Sequence, residues 1–423
     1  MQTKPFTPQI SCADDVDTES IRVAEARQRI LASLTPISDY EKLPIRGALG
    51  RVLHEAVISP INVPAHINSA MDGIALNSKD LPTSGTQTLD VIGTAYAGVP
   101  YRGECHAGQC VRIMTGAPMP QGTDTVIMQE HVESIAESRV RVGLQHRPGQ
   151  NVRQIGEDIR KDSEVVKAGR YLTPADLGVL ASLGIGEVKV RRRPRVAFFS
   201  TGDELRSIGE TLGEGEIFDS NRYSLYGMLA QLGVEILDMG VVRDNPEALR
   251  ESFLRAAAVA DVIVTSGGVS VGDADYIKSI LTELGEINFW KIAMKPGRPL
   301  TYGQLGKARF FGLPGNPVAV MVTFYQFVQP ALHYLSSGSV RLPLTLQATC
   351  TSGLNNRPGR FEFQRGMLTQ TRDGHFEVTK AGKQGSGILT SMSHANCFIL
   401  LAEDCERVEA GDTVTVQPFA IYI

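Results

Sequence analysis

Three carboxylates and two lysines in the middle of the chain are spaced for work on a phosphate. Glu204 stands in "FSTGDEL", Asp244 in "VVRDNP" and Asp275 in "VGDADY", each just past an apolar run that reads as a buried strand. Carboxylates crowded beside a phosphate repel it unless a hard cation lies between them. Mg2+, held by one or two carboxylates plus phosphate oxygens, suits that place. Taken singly, each acid also reads as a helix cap, Asp244 before Asn245-Pro246 most readily.

Bare backbone supplies the anion side. In "VIVTSGGVSVGDADY", residues 262–276, the small residues Ser266, Gly267, Gly268, Ser270 and Gly272 let the chain curve so that its N–H groups cradle an oxyanion. The stretch lacks the Gly-Lys-Ser/Thr ending of a P-loop and the G-x-G-x-x-G order of a dinucleotide fold, so an ordinary P-loop nucleotide is not its ligand. A tight strand-to-helix turn explains one or two of these glycines, but not three beside two acids. In "GLPGNPVA" Pro314 and Gly315 allow close backbone approach, Asn316 is placed to cap, and Pro317 suits a first helical position. The product is an ordinary helix cap or a helix N-terminus open to phosphate.

Basic groups follow. Lys291 and Lys295 in "WKIAMKPGRP" would lie about 13 Å apart on a continuous strand at ~3.3 Å per residue, too far to grip one small anion. Pro296-Gly297 must therefore bend the chain. Arg365 in "RFEFQRG" and Ser386 in "KQGSG" add a cation and a hydroxyl.

The elements that must hold these groups alternate from residue 195 onward. "RVAFFS", "VEILDMGVV" and "DVIVTS" read as strands; "NRYSLYGMLAQLG", "NPEALRESFLRAAAVA" and "DADYIKSILTELG" read as helices. Such alternation predicts a parallel, doubly wound sheet, whose ligands sit beyond the carboxyl ends of the strands. The loops with Glu204, Asp244, Gly267 and Gly315 would then share one edge. A long apolar helix, "PVAVMVTFYQFVQPALHYL", closes this unit. Beyond about residue 341, "LPLTLQATC", "RFEFQRGML", "HFEVTKAG", "CFILLAED" and "DTVTVQPF" predict five strands of a small barrel or sandwich.

Upstream, "SIRVAEARQRILASL" puts Val23, Ala26, Ile30, Leu31 and Leu34 on one helical face, with Ser20 as cap. Residues 40–170 switch to short β-type runs between Gly, Pro and Asn turns, and "TPADLGVLASLG" reads as a helix capped by Thr173 with Pro174 first. The fold class is multidomain α/β plus β. We expect a flexible tail at 1–17, a helical linker domain built from 18–60 and 151–192, a β-rich insertion at 61–150, an α/β domain at 193–338 and a C-terminal β-barrel at 339–423.

Composition narrows the classes. The chain has 423 residues, 42% hydrophobic and 21% charged, with net charge −4, which suits a soluble multidomain protein and gives no reason to expect nucleic acid or a membrane. The run Arg191-Arg192-Arg193-Pro194-Arg195 has no aromatic platform and reads as a solvated linker. No stretch approaches about 18 consecutive apolar residues. Six cysteines show no disulfide framework, so reduced thiols in a cytoplasm are expected. The Cys105-His106 and Cys110 spacing is too loose to argue for zinc.

Taken together, "NSAMDGIA", "RIMTGAPMP", "GQNVRQIGEDI", "FSTGDEL", "TSGGVSVGDADY", "FWKIAMKPGRP", "GLPGNPVA" and "FQRG" resemble the molybdopterin molybdenumtransferase family, whose relatives include the E domain of gephyrin. The resemblance runs from about residue 18 to the end. It implies a helical linker domain, a β-rich insertion, a molybdopterin-binding α/β domain and a C-terminal barrel. It also implies a homodimer whose cleft takes the insertion from the partner chain. The implied reaction joins molybdate to adenylylated molybdopterin with Mg2+ and releases AMP.

Carried over by motif, catalytic roles fall on Asp72 in "AMDG", Thr115 in "MTGA", Asp158 in "GEDI", Glu204, Asp244 and Asp275, the last three at the metal. Lys291, Lys295, Arg365 and Ser386 would grip the tetrahedral molybdate, three cations and a hydroxyl. Asp72 in "NSAMDG" equally fits a tight Asn/Asp-Gly turn. Arg298 stands where many relatives carry lysine. The molybdopterin adenylyltransferase and molybdoenzyme maturation proteins are the implied partners. That adenylyltransferase is itself a rival reading, but it is a single small domain. A non-catalytic scaffold is another, and it predicts a fused second domain or long linker absent from this sequence.

Overall fold

The computed structural model describes residues 20–267 and 275–419. The expected tail at 1–17, Gly268, Ser270, Gly272 and the side chain of Asp275 lie outside the described residues. The chain divides into two compact units, Tyr40–Val190 and the remainder.

In the larger unit, Arg195–Thr201 pairs in parallel with Glu235–Val242 on one side and Val262–Ser266 on the other, and Val262–Ser266 pairs in parallel with Ala308–Leu313. The runs "VAFFST" and "VIVTS" are buried along their whole length, as strands covered on both faces must be. Alternation sorts them. Val196, Phe198, Val264 and Phe311 enter one core, with Leu225 and Leu229 from helix Ser220–Gln231. Ala197, Phe199, Ile263 and Phe310 enter the other, with Leu249 and Phe253 from helix Pro246–Val259 and Leu281 from helix Asp275–Leu284.

The sheet is not parallel throughout. Pro299–Leu305 and Gly285–Lys291 join it antiparallel. Only Gly306 and Lys307 connect Pro299–Leu305 to Ala308–Leu313, with Gly306 at φ +58°. A two-residue turn closes a hairpin; a parallel pair needs a crossover of about a dozen residues.

The apolar helix runs from Pro317 to Ser337 with a π-helical stretch at Phe324–Val328. Pro330 lacks the N–H that would bond to Gln326 four residues back, and its ring crowds that carbonyl. The Gln326 carbonyl instead accepts from Arg27 Nε at 3.1 Å. Helix Val23–Ser33 packs Val23, Ala26 and Ile30 into the same core as Val196 and Phe198. Its N-cap is Arg22, with no side-chain cap, so Ser20 does not cap it. The basic run is not simply solvated either. Arg192 pairs with Asp261 and Asp39, and Arg195 with Glu235.

The C-terminal strands close. Leu346–Cys350, Phe361–Gln370, Phe376–Lys380, Cys397–Leu401 and Thr413–Pro418 form a ring, completed where Glu362–Gly366 pairs with Cys397–Leu401. The short strand Met294–Lys295 pairs in parallel with Phe361–Glu362.

In the smaller unit, six strands order as Thr125–Met128, Gly73–Leu76, Gln109–Ile113, Gln87–Ala95, Arg139–Val142 and Val132–Ala136. Ala48, Leu53, Val166, Leu180 and Val190 form a separate core, beside helix Pro174–Ser182. Thr173 caps that helix as expected, in a reciprocal capping box with Asp176. Among the described residues no helix is long and apolar enough to cross a membrane.

Candidate functional site

The four parallel strands end at Thr201, Val242, Ser266 and Leu313, and the sheet order reverses between the first and third. That is where an α/β sheet opens its crevice. The floor is backbone. Gly267 has φ +89°, and a Cβ there would stand 2.5 Å from the Thr201 carbonyl oxygen, so no other residue fits without strain. Gly315 comes next to it, its own Cβ position 3.9 Å from Gly267 Cα. Beneath them Ser200 Oγ and Ser266 Oγ lie 3.0 Å apart.

The carboxylates come from adjoining loops. Thr201 and Val242 are register partners, so the loops that follow them meet. There the Asp244 N–H donates to Asp203 Oδ1 at 3.3 Å. Glu204 folds back over Gly202, whose added Cβ would stand 2.6 Å from Glu204 Oε2. Asp244 is not the helix cap; Asn245 is, its Oδ1 accepting from the Ala248 N–H at 2.8 Å. Among the described residues no group of three or more His, Cys, Asp or Glu is gathered as a metal cage. Mg2+ does not need one when phosphate supplies oxygens.

Asn316 sits at its cap position but makes no side-chain cap bond. The helix N-terminus is also not open, because the Val318 N–H donates to the Ser386 carbonyl at 3.0 Å. Of the two readings of this turn, side-chain cap or open helix end, neither is met in full: one N–H is taken by the barrel's own loop, which sets Ser386 against the Pro314–Asn316 turn.

Arg365 is placed differently from an anion-gripping side chain. It is 0% exposed, with Nε donating to Ser391 Oγ at 3.1 Å, Nη2 to the Gly385 carbonyl at 3.2 Å and Nη1 to the Phe363 carbonyl at 3.4 Å. Burial pulls its pKa down to about 10, opposed by the charge of Glu362. Its guanidinium braces the Ser386 loop from below.

Lys291 and Lys295 do not share a strand. Gly285–Lys291 ends at Lys291, Ile21 bridges to Ile292, and Lys295 moves on to the barrel, where Nζ lies 3.2 Å from Glu362 Oε1. The break between them falls at Ile292-Ala293, where the Met294 N–H donates to the Ile292 carbonyl at 2.8 Å; Pro296-Gly297, with Gly297 at φ +104°, bends the chain only beyond both lysines.

Two further side chains escaped the sequence reading. Asp219 caps helix Ser220–Gln231 through Arg222 N, and Asn221 Nδ2 donates to the Gly315 carbonyl at 2.7 Å. Thr201 Oγ1, Asp219 Oδ2 and Asn221 Oδ1 are buried with no hydrogen-bond partner among the described residues. The signal was available in "FDSNR", a polar triplet at a helix start beyond a strand.

In the smaller unit Asp72 and Thr115 do meet. Asp72 Oδ1 accepts from the Thr115 N–H at 2.6 Å and from its Oγ1 at 2.8 Å. These bonds hold the Asp72 carboxyl below the usual carboxylate range. The turn in "NSAMDG" is set by Ser69, whose Oγ accepts from the Met71 N–H at 3.2 Å, and not by Asp72-Gly73, because Gly73 opens the strand Gly73–Leu76. Asp158 is exposed beside Val63, Pro64, Arg153 and Glu157, around a cavity of about 480 Å³.

A doubly wound crevice floored by glycine backbone, with a small β-barrel inserting a serine loop against it, defines a ligand-binding α/β protein. Comparison with known families makes it specific. The MoeA N-terminal region (domain I and II) matches residues 21–184, a probable molybdopterin binding domain residues 197–334, and the MoeA C-terminal region (domain IV) residues 347–419. A molybdopterin molybdenumtransferase of Haemophilus influenzae is 44% identical over 93% of this chain and 98% of its own length. One from Nostoc is 36% identical over 99% of this chain and 95% of its own. The crystal structure of a molybdopterin biosynthesis MoeA protein from Pyrococcus horikoshii superposes with TM-score 0.82 at 29% identity, covering 95% of this chain and 100% of that one. The chain belongs to the molybdopterin molybdenumtransferase family.

Proposed function

We propose that this chain is an enzyme that inserts molybdenum into molybdopterin, taking molybdate and adenylylated molybdopterin and releasing AMP. The observation that carries this reading is the backbone crevice at Thr201, Gly267 and Gly315, with carboxylate loops on one side and the Ser386 loop on the other. Gly267 and Gly315 seat the phosphate end of the pterin ligand by backbone approach. Lys291, Lys295 and Ser386 hold the tetrahedral oxyanion, and Arg365 keeps the Ser386 loop in place. Holding the oxyanion beside the dithiolene is a matter of positioning and fixed charge.

Glu204, Asp244 and Asp275 are the residues that would hold Mg2+, which when bound offsets charge on the cleaved anhydride. Asp203 supports this fit by fixing the Asp244 backbone. Asp72 and Thr115 act from the insertion of a partner chain in a cytoplasmic homodimer, and Asp158 acts from the linker-domain segment that follows the insertion. The molybdopterin adenylyltransferase supplies the substrate, and molybdoenzyme maturation proteins receive the product.

The test is AMP release from adenylylated molybdopterin with Mg2+, with and without molybdate. Molybdate-dependent release that is lost in Lys291→Ala is expected, and Glu204→Ala and Asp275→Ala should abolish turnover with the fold intact. Wild-type rates in either carboxylate variant would remove those residues from the mechanism.

A further inference from the structure

Glu362 is a carboxylate inside the mouth of the barrel, 2% exposed. Strand alternation puts it on the same face as Gln364 and Leu368, and Leu368 belongs to the barrel core. Its Oε1 lies 3.2 Å from Lys295 Nζ. Its Oε2 is buried with no hydrogen-bond partner among the described residues, as is Gln364 Oε1 two positions along.

The main chain enforces this meeting. Lys295 and Glu362 are register partners in the parallel pair that ties Met294–Lys295 to the barrel, and the Phe361 N–H donates to the Ala293 carbonyl at 2.9 Å. The two ends differ in surroundings: the Lys295 side chain is 52% exposed and that of Glu362 3%. A buried carboxylate with one unsatisfied oxygen costs stability, and an apolar side chain would serve the barrel better. Its effect on Lys295 offsets that cost.

We propose that Glu362 is a positioning residue for the oxyanion site: it holds Lys295 in place and offsets its charge, so that an incoming tetrahedral oxyanion competes with Glu362 for the ammonium. The inference rests on the proposed oxyanion role of Lys295. A site with its full cationic charge would hold any tetrahedral dianion. An offset site favours the one that makes further contacts, here to Ser386 and the pterin ligand.

Molybdate titration of the full-length protein by calorimetry tests it, in wild type, Glu362→Gln, Lys295→Ala and the double variant. Glu362→Gln keeps the shape and removes the charge, so it should bind molybdate about tenfold more tightly. That gain should vanish in the Lys295→Ala background. Unchanged or weaker binding in a folded Glu362→Gln overturns the proposal, since a purely structural role gives only loss. A gain that persists without Lys295 also overturns it, because Glu362 would then act on the anion directly. If neither wild type nor Glu362→Gln binds molybdate, the oxyanion role of Lys295 fails first and the inference falls with it. Should Glu362→Gln not fold, Glu362→Asp retains the charge on a shorter arm. Binding tighter than wild type then supports the proposal, and equal or weaker binding overturns it.

Discussion

The crevice of the larger unit and the Asp72 corner of the smaller one hold their functional groups in opposite ways. In the crevice, backbone meets backbone: Gly267 against Thr201, Gly315 against Gly267, and Val318 N–H on the Ser386 carbonyl. Beneath the Ser386 loop lies a fully buried arginine. At Asp72 an exposed carboxylate is held by one threonine through two bonds. The crevice is shaped before any ligand arrives. The corner is oriented but exposed.

The sharpest way to break this contrast is at the crevice floor. Gly267→Ala forces a Cβ against the Thr201 carbonyl at a φ that alanine rarely adopts. Turnover should fall about a hundredfold or more, as expected for a displacement of about 1 Å at a reacting centre. Activity within threefold of wild type would mean that the floor is not where the ligand sits. Next is the brace. Arg365→Met leaves the Phe363 and Gly385 carbonyls and Ser391 without their donor, which should cost about 3 kcal/mol in urea unfolding. A cost below about 1 kcal/mol would mean that these bonds do not brace the loop.

The smallest effect belongs to the corner. Thr115→Val removes the hydroxyl donor and leaves the backbone one. The Asp72 carboxyl, now held below its ordinary range, should titrate at higher pH in a carbon-detected NMR titration. Stability should change by less than about 0.5 kcal/mol. With a lowered folded value, the contribution of Asp72 is present above the ordinary carboxylate range and is lost as pH falls through that folded value. An unmoved titration would assign the whole effect to the Thr115 backbone.

Local chemistry made much of this legible. Thr173-Pro174 announced its helix, and the apolar runs "VAFFS" and "VIVTS" announced buried strands. The five C-terminal runs announced five strands of a barrel or sandwich, and the pairing of Glu362–Gly366 with Cys397–Leu401 makes them a barrel. What stayed hidden depends on distant partners. Arg365 reads as a cation for an anion until the fold buries it under Gly385, and Asn316 reads as a cap until Ser386 takes the neighbouring N–H. The two-residue turn at Gly306-Lys307 was readable as a hairpin signal, but helix–strand alternation outweighed it. Gly73–Leu76 escaped because four residues show too little alternation to stand out, although two strands flank it.

The two-residue strand Met294–Lys295 also bears on how such a protein can be taken apart. Because it leaves the α/β sheet to pair with the first residues of Phe361–Gln370, the barrel is stitched to its neighbour at two places along the chain. A graft that exchanged residues 339–423 for the barrel of a relative would have to match a seam already sewn into the host at residue 295. Inheritance of the barrel as an independent cassette is therefore constrained, and changes at residues 294–295 and 361–362 should travel together.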